Sequence, residues 1–332
     1  RTGLEVSVVG IGGEGFENAS YEDCQKMVDV AIDNGVNFFD VYNSNPQMRS
    51  HLGKALSHYN RNQFVIEGHL CSTWENGQYR RTRKMTEVQK SFEDLLQRLQ
   101  VAYIDIGMIH YVDDRQDFKR IFEGEIIEYA KTLKQSGQIR HIGLSTHNPD
   151  IALAAVQTGL IDVILFSINP AYDMLEASED VDILFEESTF ANRVYEGIEP
   201  KRAKLYQLCE NEGVALTVMK ALGGGTLLDE KRSPFKKALT PVQCIQYCLN
   251  RPAVVSVLIG VANLEELNAC LAYQNATDKE KDYSEIIAKA PKTSFKGQCM
   301  YCGHCAPCTR KIDIALVNKY YDLATVQKVV PE

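Results

Sequence analysis

No run of 18 consecutive apolar residues occurs in the sequence, so nothing in it reads as a membrane-spanning helix. Basic charge is also in short supply: 36 Lys and Arg stand against 44 Asp and Glu, a net charge of −8 that argues against nucleic acid as a partner. No secretory leader pattern is visible, and the chain opens on Arg1 rather than methionine, so native residues can precede it. An even spread of cysteines, the mark of a disulfide framework, is missing too. Of the 10 cysteines, four are packed into Cys299, Cys302, Cys305 and Cys308. Such clustering points to a metal or cluster site in a reducing compartment, and a cytoplasmic location is expected.

What is present is ordinary globular composition, 45% hydrophobic and 24% charged over 332 residues. That length holds one barrel of about 250 residues with an extension, or two smaller domains. Eight nearly continuous apolar runs, at 6–10, 37–41, 64–66, 103–109, 139–145, 163–169, 214–219 and 254–260, read as parallel strands buried on both faces. Helices separate them. Ser20 can cap one, with Asp23 in its first turn and Gly35 to end it. Thr86 with Gln89 and Asn263 with Glu266 fit capping boxes. Asn148 and Thr240 each precede a proline, the pattern of a cap and first helical residue. Eight βα units predict an α/β protein built as a closed (β/α)8 barrel over 1–280, with a small cysteine-rich, iron–sulfur-type extension over 281–332.

A rival reading rests on Gly10, Gly12 and Gly15, a GxGxxG with Asp40 ending the next strand, as in dinucleotide-binding open sheets. There the helix opens directly on the glycines. Here residues 16–20 intervene, and the strand count suits a barrel. The long connection after the sixth strand carries Glu176, Glu179, Asp180, Asp182, Glu186 and Glu187; it reads either as part of the active-site face or as a solvated acidic loop.

The segments Asn37-Phe38-Phe39-Asp40, Leu52-Gly53-Lys54-Ala55-Leu56, Tyr103-Ile104-Asp105 with Ile109-His110, Met219-Lys220-Ala221-Leu222-Gly223-Gly224-Gly225 and Ile259-Gly260-Val261-Ala262-Asn263-Leu264-Glu265-Glu266 resemble aldo-keto reductases, in the right order over roughly residues 1–275. The cysteine run resembles the subset of that family with a ferredoxin-like tail. Such enzymes reduce carbonyls with a nicotinamide through an Asp, Tyr, Lys and His. The resemblance places Asp40 and His110 in the Asp and His positions. The tyrosine position holds Asn45, which cannot transfer a proton at neutral pH. The lysine position holds His69. Proton transfer then falls to His69 or His110, whose ordinary pKa is near 6.5; either is equally a hydrogen-bonded histidine at a strand end. After His69, Trp74, Tyr79, Arg80, Arg81 and Arg83 form a loop able to hold an anionic small-molecule substrate, or simply a solvated basic loop.

The same resemblance implies a dinucleotide across the barrel mouth. Ser145, Thr146 and Asn169 stand where its carboxamide is held. Met219, Lys220, Ala221, Leu222, Gly223 and Gly225 stand where its pyrophosphate lies, glycines letting backbone N–H groups approach phosphate. Gly260, Asn263 and Glu266 stand at the adenosine end. From 256 to 272 there is no Lys or Arg, and Glu265 and Glu266 would repel a 2′-phosphate, so NAD(H) is favoured over NADP(H).

Cys299, Cys302, Cys305 and Cys308 have two residues between each neighbouring pair, close to the bacterial ferredoxin run but with a last gap of two rather than three and Thr309 in place of proline. A [4Fe–4S] cluster is expected, with zinc the alternative. Its fourth ligand is unassigned, and a further motif can lie past Glu332. Three functions fit: a nicotinamide-dependent oxidoreductase whose cluster supports structure or relays electrons to a partner; a redox-neutral lyase, dehydratase or epimerase using the histidines; or a non-catalytic nicotinamide or redox sensor.

Overall fold

The computed structural model describes residues 1–184, 186–190 and 197–288, with isolated residues between 308 and 321. Among the described residues ten strands are formed: β1 (Val9–Gly12), β2 (Phe38–Val41), β3 (Val65–Leu70), β4 (Ser72–Glu75), β5 (Gln78–Arg81), β6 (Ile104–Ile109), β7 (Ile139–Thr146), β8 (Val163–Ser167), β9 (Ala215–Met219) and β10 (Val254–Gly260). All but β4 and β5 close into one parallel barrel, in the order β1-β10-β9-β8-β7-β6-β3-β2. β4 and β5 make a separate antiparallel hairpin.

The helices are α1 (Tyr21–Asp33), α2 (Pro46–Leu56), α3 (Met85–Leu99), α4 (Arg115–Phe122), α5 (Glu125–Gln135), α6 (Pro149–Gln157), α7 (Glu187–Phe190), α8 (Pro200–Glu212), α9 (Pro241–Leu249), α10 (Leu264–Leu271), α11 (Asp278–Lys281) and α12 (Ser284–Ala288). Their starts obey local chemistry. Ser20, Asn148 and Thr240 accept backbone N–H bonds as caps, the last two ahead of a proline. Asn263 accepts from the Glu266 N–H, while the Glu266 carboxylate accepts from the Ala262 backbone N–H and the Asn263 side-chain amide rather than from the Asn263 backbone N–H. The expected box at Thr86 and Gln89 is not formed: α3 is capped at Lys84 without a side-chain bond, and Thr82 Oγ1 accepts from the Lys84 N–H instead.

Two cores follow from strand alternation. Phe38, Val65, Ile106, Met108, Val163, Leu165 and Leu258 fill the barrel's inside, and Leu4 and Val6 pack beneath them. The larger core lies between the strands and the helices. Because Leu4 and Val6 serve the floor, β1 runs three residues later than the apolar pattern predicts. β3 extends four residues past its expected end, through Glu67 and His69, whose polarity hid it. Tyr283 and Ile287, beyond the boundary expected at 280, are buried in the outer core.

The GxGxxG lies on β1 and the turn after it, at the barrel mouth. Gly15 is forced by closeness: a Cβ there would stand 1.6 Å from the Val261 carbonyl oxygen, so the loops after β1 and β10 touch through bare backbone. Of the long connection, residues 171–175 are buried and Val181 reaches the barrel mouth. No helix among the described residues is long and apolar enough to cross a membrane.

Candidate active site

Alternation along β2, β3 and the end of β6 turns Asp40, Glu67, His69 and His110 inward at the C-terminal ends of three neighbouring strands. They meet. His69 Nε2 donates to Asp40 Oδ1 at 2.9 Å, and His69 Nδ1 lies 2.6 Å from His110 Nδ1. His110 Nε2 is hydrogen-bonded to the Tyr79 hydroxyl. Asp40, His69 and His110 are 4%, 1% and 7% exposed, so this chain of bonds is sheltered from water except where the cavity opens on it.

Burial, and then the neighbouring His69, hold the His110 imidazole well below its ordinary pKa, which keeps it neutral. Burial pushes the Tyr79 phenol up to about 12, while Arg81 and Arg83 pull it back. Glu67 is fully buried, with Thr217 Oγ1 at 3.3 Å. Burial and the Asp40 charge drive its carboxyl well above the usual range, so it keeps its proton beside Asp40. Tyr42 lays its ring parallel to His110, with centroids 5.9 Å apart.

Tyr79 stands apart in origin. It sits on β5, opposite Trp74, in a hairpin turned by Asn76 and Gly77, both at positive φ. An Asn-Gly pair between Trp74 and Tyr79 is the strongest short-range hairpin signal, and it was there to be read. The arginines of this segment do not face the cavity. Arg80 pairs with Glu75 and Glu87, Arg83 with Asp117, and Arg81 donates to the Tyr111 carbonyl. With Lys84 and Arg120 they line a separate cavity of about 450 Å³, which Glu87, Asp114 and Asp117 also line.

Asn45, expected in the tetrad, is elsewhere. Its Oδ1 accepts from the Gln47 and Met48 N–H groups, capping α2 ahead of Pro46.

A cavity of about 830 Å³ opens on Asp40, His69 and His110 and runs past Ser145, Met219 and Lys220 to Gly260, Asn263 and Glu266. Ala221, Leu222, Gly224 and Gly225 line its middle. Positive φ at Lys220, Gly223, Gly224 and Gly225 curls that segment, and a Cβ on Gly224 or Gly225 would meet nothing within 4 Å. Gly223 itself faces Thr226 and Leu227 rather than the cavity. Thr146 and Asn169 are also turned away from it. Thr146 donates to Asp113, and Asn169 is spent on Lys220, Ala171 and Tyr172. His147, held on Asp113 at 2.9 Å, is a lining residue the sequence did not suggest. Beside the far end, a second cavity of about 670 Å³ is lined by Glu14, Asn18, Asp23, Asn263 and Glu266 among others. Cys299, Cys302 and Cys305 lie outside the described residues, and Cys308 Sγ accepts from the Arg310 N–H.

The model of the aldo/keto reductase family matches residues 8–242, more than half of the chain. The chain belongs to the aldo/keto reductase family. Among curated relatives it is 26% identical to the aldo-keto reductase YhdN of Bacillus subtilis over 55% of each chain. It is 32% identical to the L-galactose dehydrogenase of Arabidopsis thaliana over 50% of this chain and 53% of that protein. The chain thus spans about half the length of these two relatives. Among solved structures, an aldo-keto reductase from Bacillus halodurans in its holo form superposes with a TM-score of 0.65 at 20% identity, over 89% of this chain and 95% of that one. At that identity the likeness concerns the fold, and the fold is the closed barrel described above.

Proposed function

We propose that this aldo/keto reductase is a nicotinamide-linked oxidoreductase that interconverts a small neutral alcohol and its carbonyl compound. One observation carries the reading: a single cavity joins the Asp40–His69–His110 cluster to an open glycine-lined segment and then to the start of α10. The open space over Gly224 and Gly225 suits a pyrophosphate, with Lys220 as the cation beside it. Ser145 suits the carboxamide. Gly260, Asn263 and Glu266 suit the adenosine end. A bound nicotinamide would supply or accept the hydride at the reacting carbon. The family match favours this reading over the redox-neutral and sensing ones. A neutral substrate fits because the arginines near the mouth already have partners, and Tyr42, Tyr79 and Tyr111 line the reacting end. Relatives named L-galactose dehydrogenase and, in Yersinia pestis, methylglyoxal reductase handle substrates of that kind.

NADH is preferred to NADPH on this reading. Glu14, Glu265 and Glu266 line the cavity's far end, and the adjoining cavity has Glu14, Asp23 and Glu266 with no Lys or Arg. The charged side chains that a 2′-phosphate placed there would meet are carboxylates, beside the amides of Asn18 and Asn263. Titration followed by fluorescence quenching should give NADH a dissociation constant at least about tenfold lower, the effect of roughly 1.4 kcal/mol. Tighter binding of NADPH would sink the assignment.

The four closely spaced thiols enter the proposal as a [4Fe–4S] site serving structure or an electron-transfer partner, with zinc the alternative. Protein purified without oxygen should be brown and carry iron and acid-labile sulfide, and Cys302→Ser should lose both. Stoichiometric zinc without sulfide would decide for the alternative.

A further inference from the structure

The family's proton-donating tyrosine position is occupied by a helix cap, yet a phenol still reaches the reacting end of the cavity. Tyr79 comes from the hairpin, lines the cavity, and is bonded to His110 Nε2. Behind it the bonds continue from His110 to His69 and from His69 to Asp40. Tyr42 also lines the cavity, but it meets His110 ring face to ring face, and no hydrogen bond among the described residues joins it to this chain of groups.

We propose that Tyr79 exchanges the proton with the substrate oxygen, and that the proton travels between Tyr79 and His69 through His110. This rests on the oxidoreductase reading above and extends it to a residue outside the barrel strands.

The geometry restricts the states of the relay. Two ring nitrogens 2.6 Å apart can be held so only with one proton between them. Asp40 as a carboxylate can only accept, so His69 Nε2 carries a proton in every working state. With both rings neutral, His110 Nδ1–H donates to His69 Nδ1, His110 Nε2 accepts the Tyr79 proton, and a lone pair of the Tyr79 oxygen is left for the cavity. An alcohol can then give its proton to Tyr79. The Tyr79 proton moves to His110 Nε2, the His110 Nδ1 proton moves to His69 Nδ1, and His69 ends as an imidazolium balanced by Asp40. The two electrons of the broken C–H bond leave as hydride to the oxidised nicotinamide. Carbonyl reduction is the same sequence reversed: His69 gives up one proton, and Tyr79 delivers one to the carbonyl oxygen. Each direction moves one proton over three groups, and every bond it needs is already formed. Glu67 keeps its own proton beside Asp40, which leaves Asp40 as the carboxylate bonded to His69.

Two measurements on the full chain test this. The first is turnover of glycerol or L-galactose with NAD+, and of methylglyoxal with NADH, in the unaltered protein and in Tyr79→Phe. Phenylalanine keeps the ring that packs edge-on against Tyr42 at 6.0 Å. The expected loss is about 100- to 10,000-fold in kcat in both directions, with NADH affinity unchanged. The unaltered protein should also give a curved dependence of rate on solvent deuterium fraction, as several protons move together, and Tyr79→Phe should lose the curvature. A merely structural tyrosine would not affect it. The second measurement needs no turnover: nitrogen-15 NMR of histidine-labelled protein should give a scalar coupling between the Nδ1 atoms of His69 and His110 across their shared proton. Absence of that coupling, or a Tyr79→Phe protein as fast as the unaltered one, would overturn the relay and leave the oxidoreductase reading standing. Failure of the unaltered protein to bind either nicotinamide would instead sink the oxidoreductase reading, with the coupling still deciding the relay.

Discussion

His69→Ala is expected to slow turnover by about 100- to 10,000-fold while leaving NADH affinity nearly unchanged. His69 is the middle of the hydrogen-bonded series: one ring nitrogen holds Asp40 and the other meets His110. Alanine removes both contacts at once. Asp40, 4% exposed, loses its imidazole partner, and His110 loses the group that fixes its tautomer. Nothing else among the cluster can take the place of His69, because Glu67 is already protonated and bonded to Thr217. The loss of a buried donor also costs about 1–3 kcal/mol of stability, so denaturant unfolding should be measured beside the rates. A variant that folds, binds NADH and turns over at the original rate would place the chemistry elsewhere in the cavity.

The largest effect on stability is expected from Asp173→Ala. Asp173 is fully buried at the start of the long connection after β8. Its carboxylate accepts from the hydroxyls of Tyr206 on α8 and Tyr247 on α9, the latter at 2.9 Å, and the Arg202 guanidinium lies 3.7 Å away. Its backbone carbonyl accepts from the Glu199 N–H, tying the two ends of the connection together. Burial drives the Asp173 carboxyl up, against the pull of Arg202 and Arg251, so the site is a balance of desolvation and charge. Removing the carboxylate leaves Arg202 buried against Phe166 with the Ser167 carbonyl but without its anion. Breaking a buried pair on one side costs about 3–5 kcal/mol. Urea unfolding followed by circular dichroism should register that loss, with Asp173→Asn losing less because one acceptor oxygen survives. A loss under about 1 kcal/mol would mean the network contributes little.

The barrel was legible because its signals are redundant. Buried parallel strands must be apolar throughout, and the caps at Ser20, Asn148 and Thr240 mark helices by the bonds they make. Asp40, His69 and His110 were legible together because strand ends on one rim converge. Tyr79 was not, for a physical reason. Its partner His110 lies 31 residues away, and only the folded hairpin brings the two together. The Asn76-Gly77 turn announced that hairpin, but no pattern within it says which way its tyrosine points. Counting from Asp40 puts Asn45 at the tyrosine position but does not show its use, which the proline that follows it fixes as a helix cap. The resemblance points to Thr146 and Asn169 for a carboxamide, but Thr146 is bonded to Asp113, and Asn169 to Lys220, Ala171 and Tyr172.

The hairpin of β4 and β5 has a consequence for how this protein can change. It belongs to no barrel layer; its outer residues, from Glu75 to Gln78, are exposed, and its strands pair only with each other. Segments of this kind open locally at a fraction of the global unfolding free energy. The phenol beside His110 is therefore mounted on a part that can swing out, lengthen or be exchanged while all eight staves stay closed. In a barrel whose proton donor is rooted in the stave-and-helix frame, losing that donor risks the frame itself. Here the exposed turn from Glu75 to Gln78 can be rewritten by insertion or grafting, and the chemistry of the mouth altered, while Ser72 stays bonded to Ser91 of α3 and the eight staves keep their pairing.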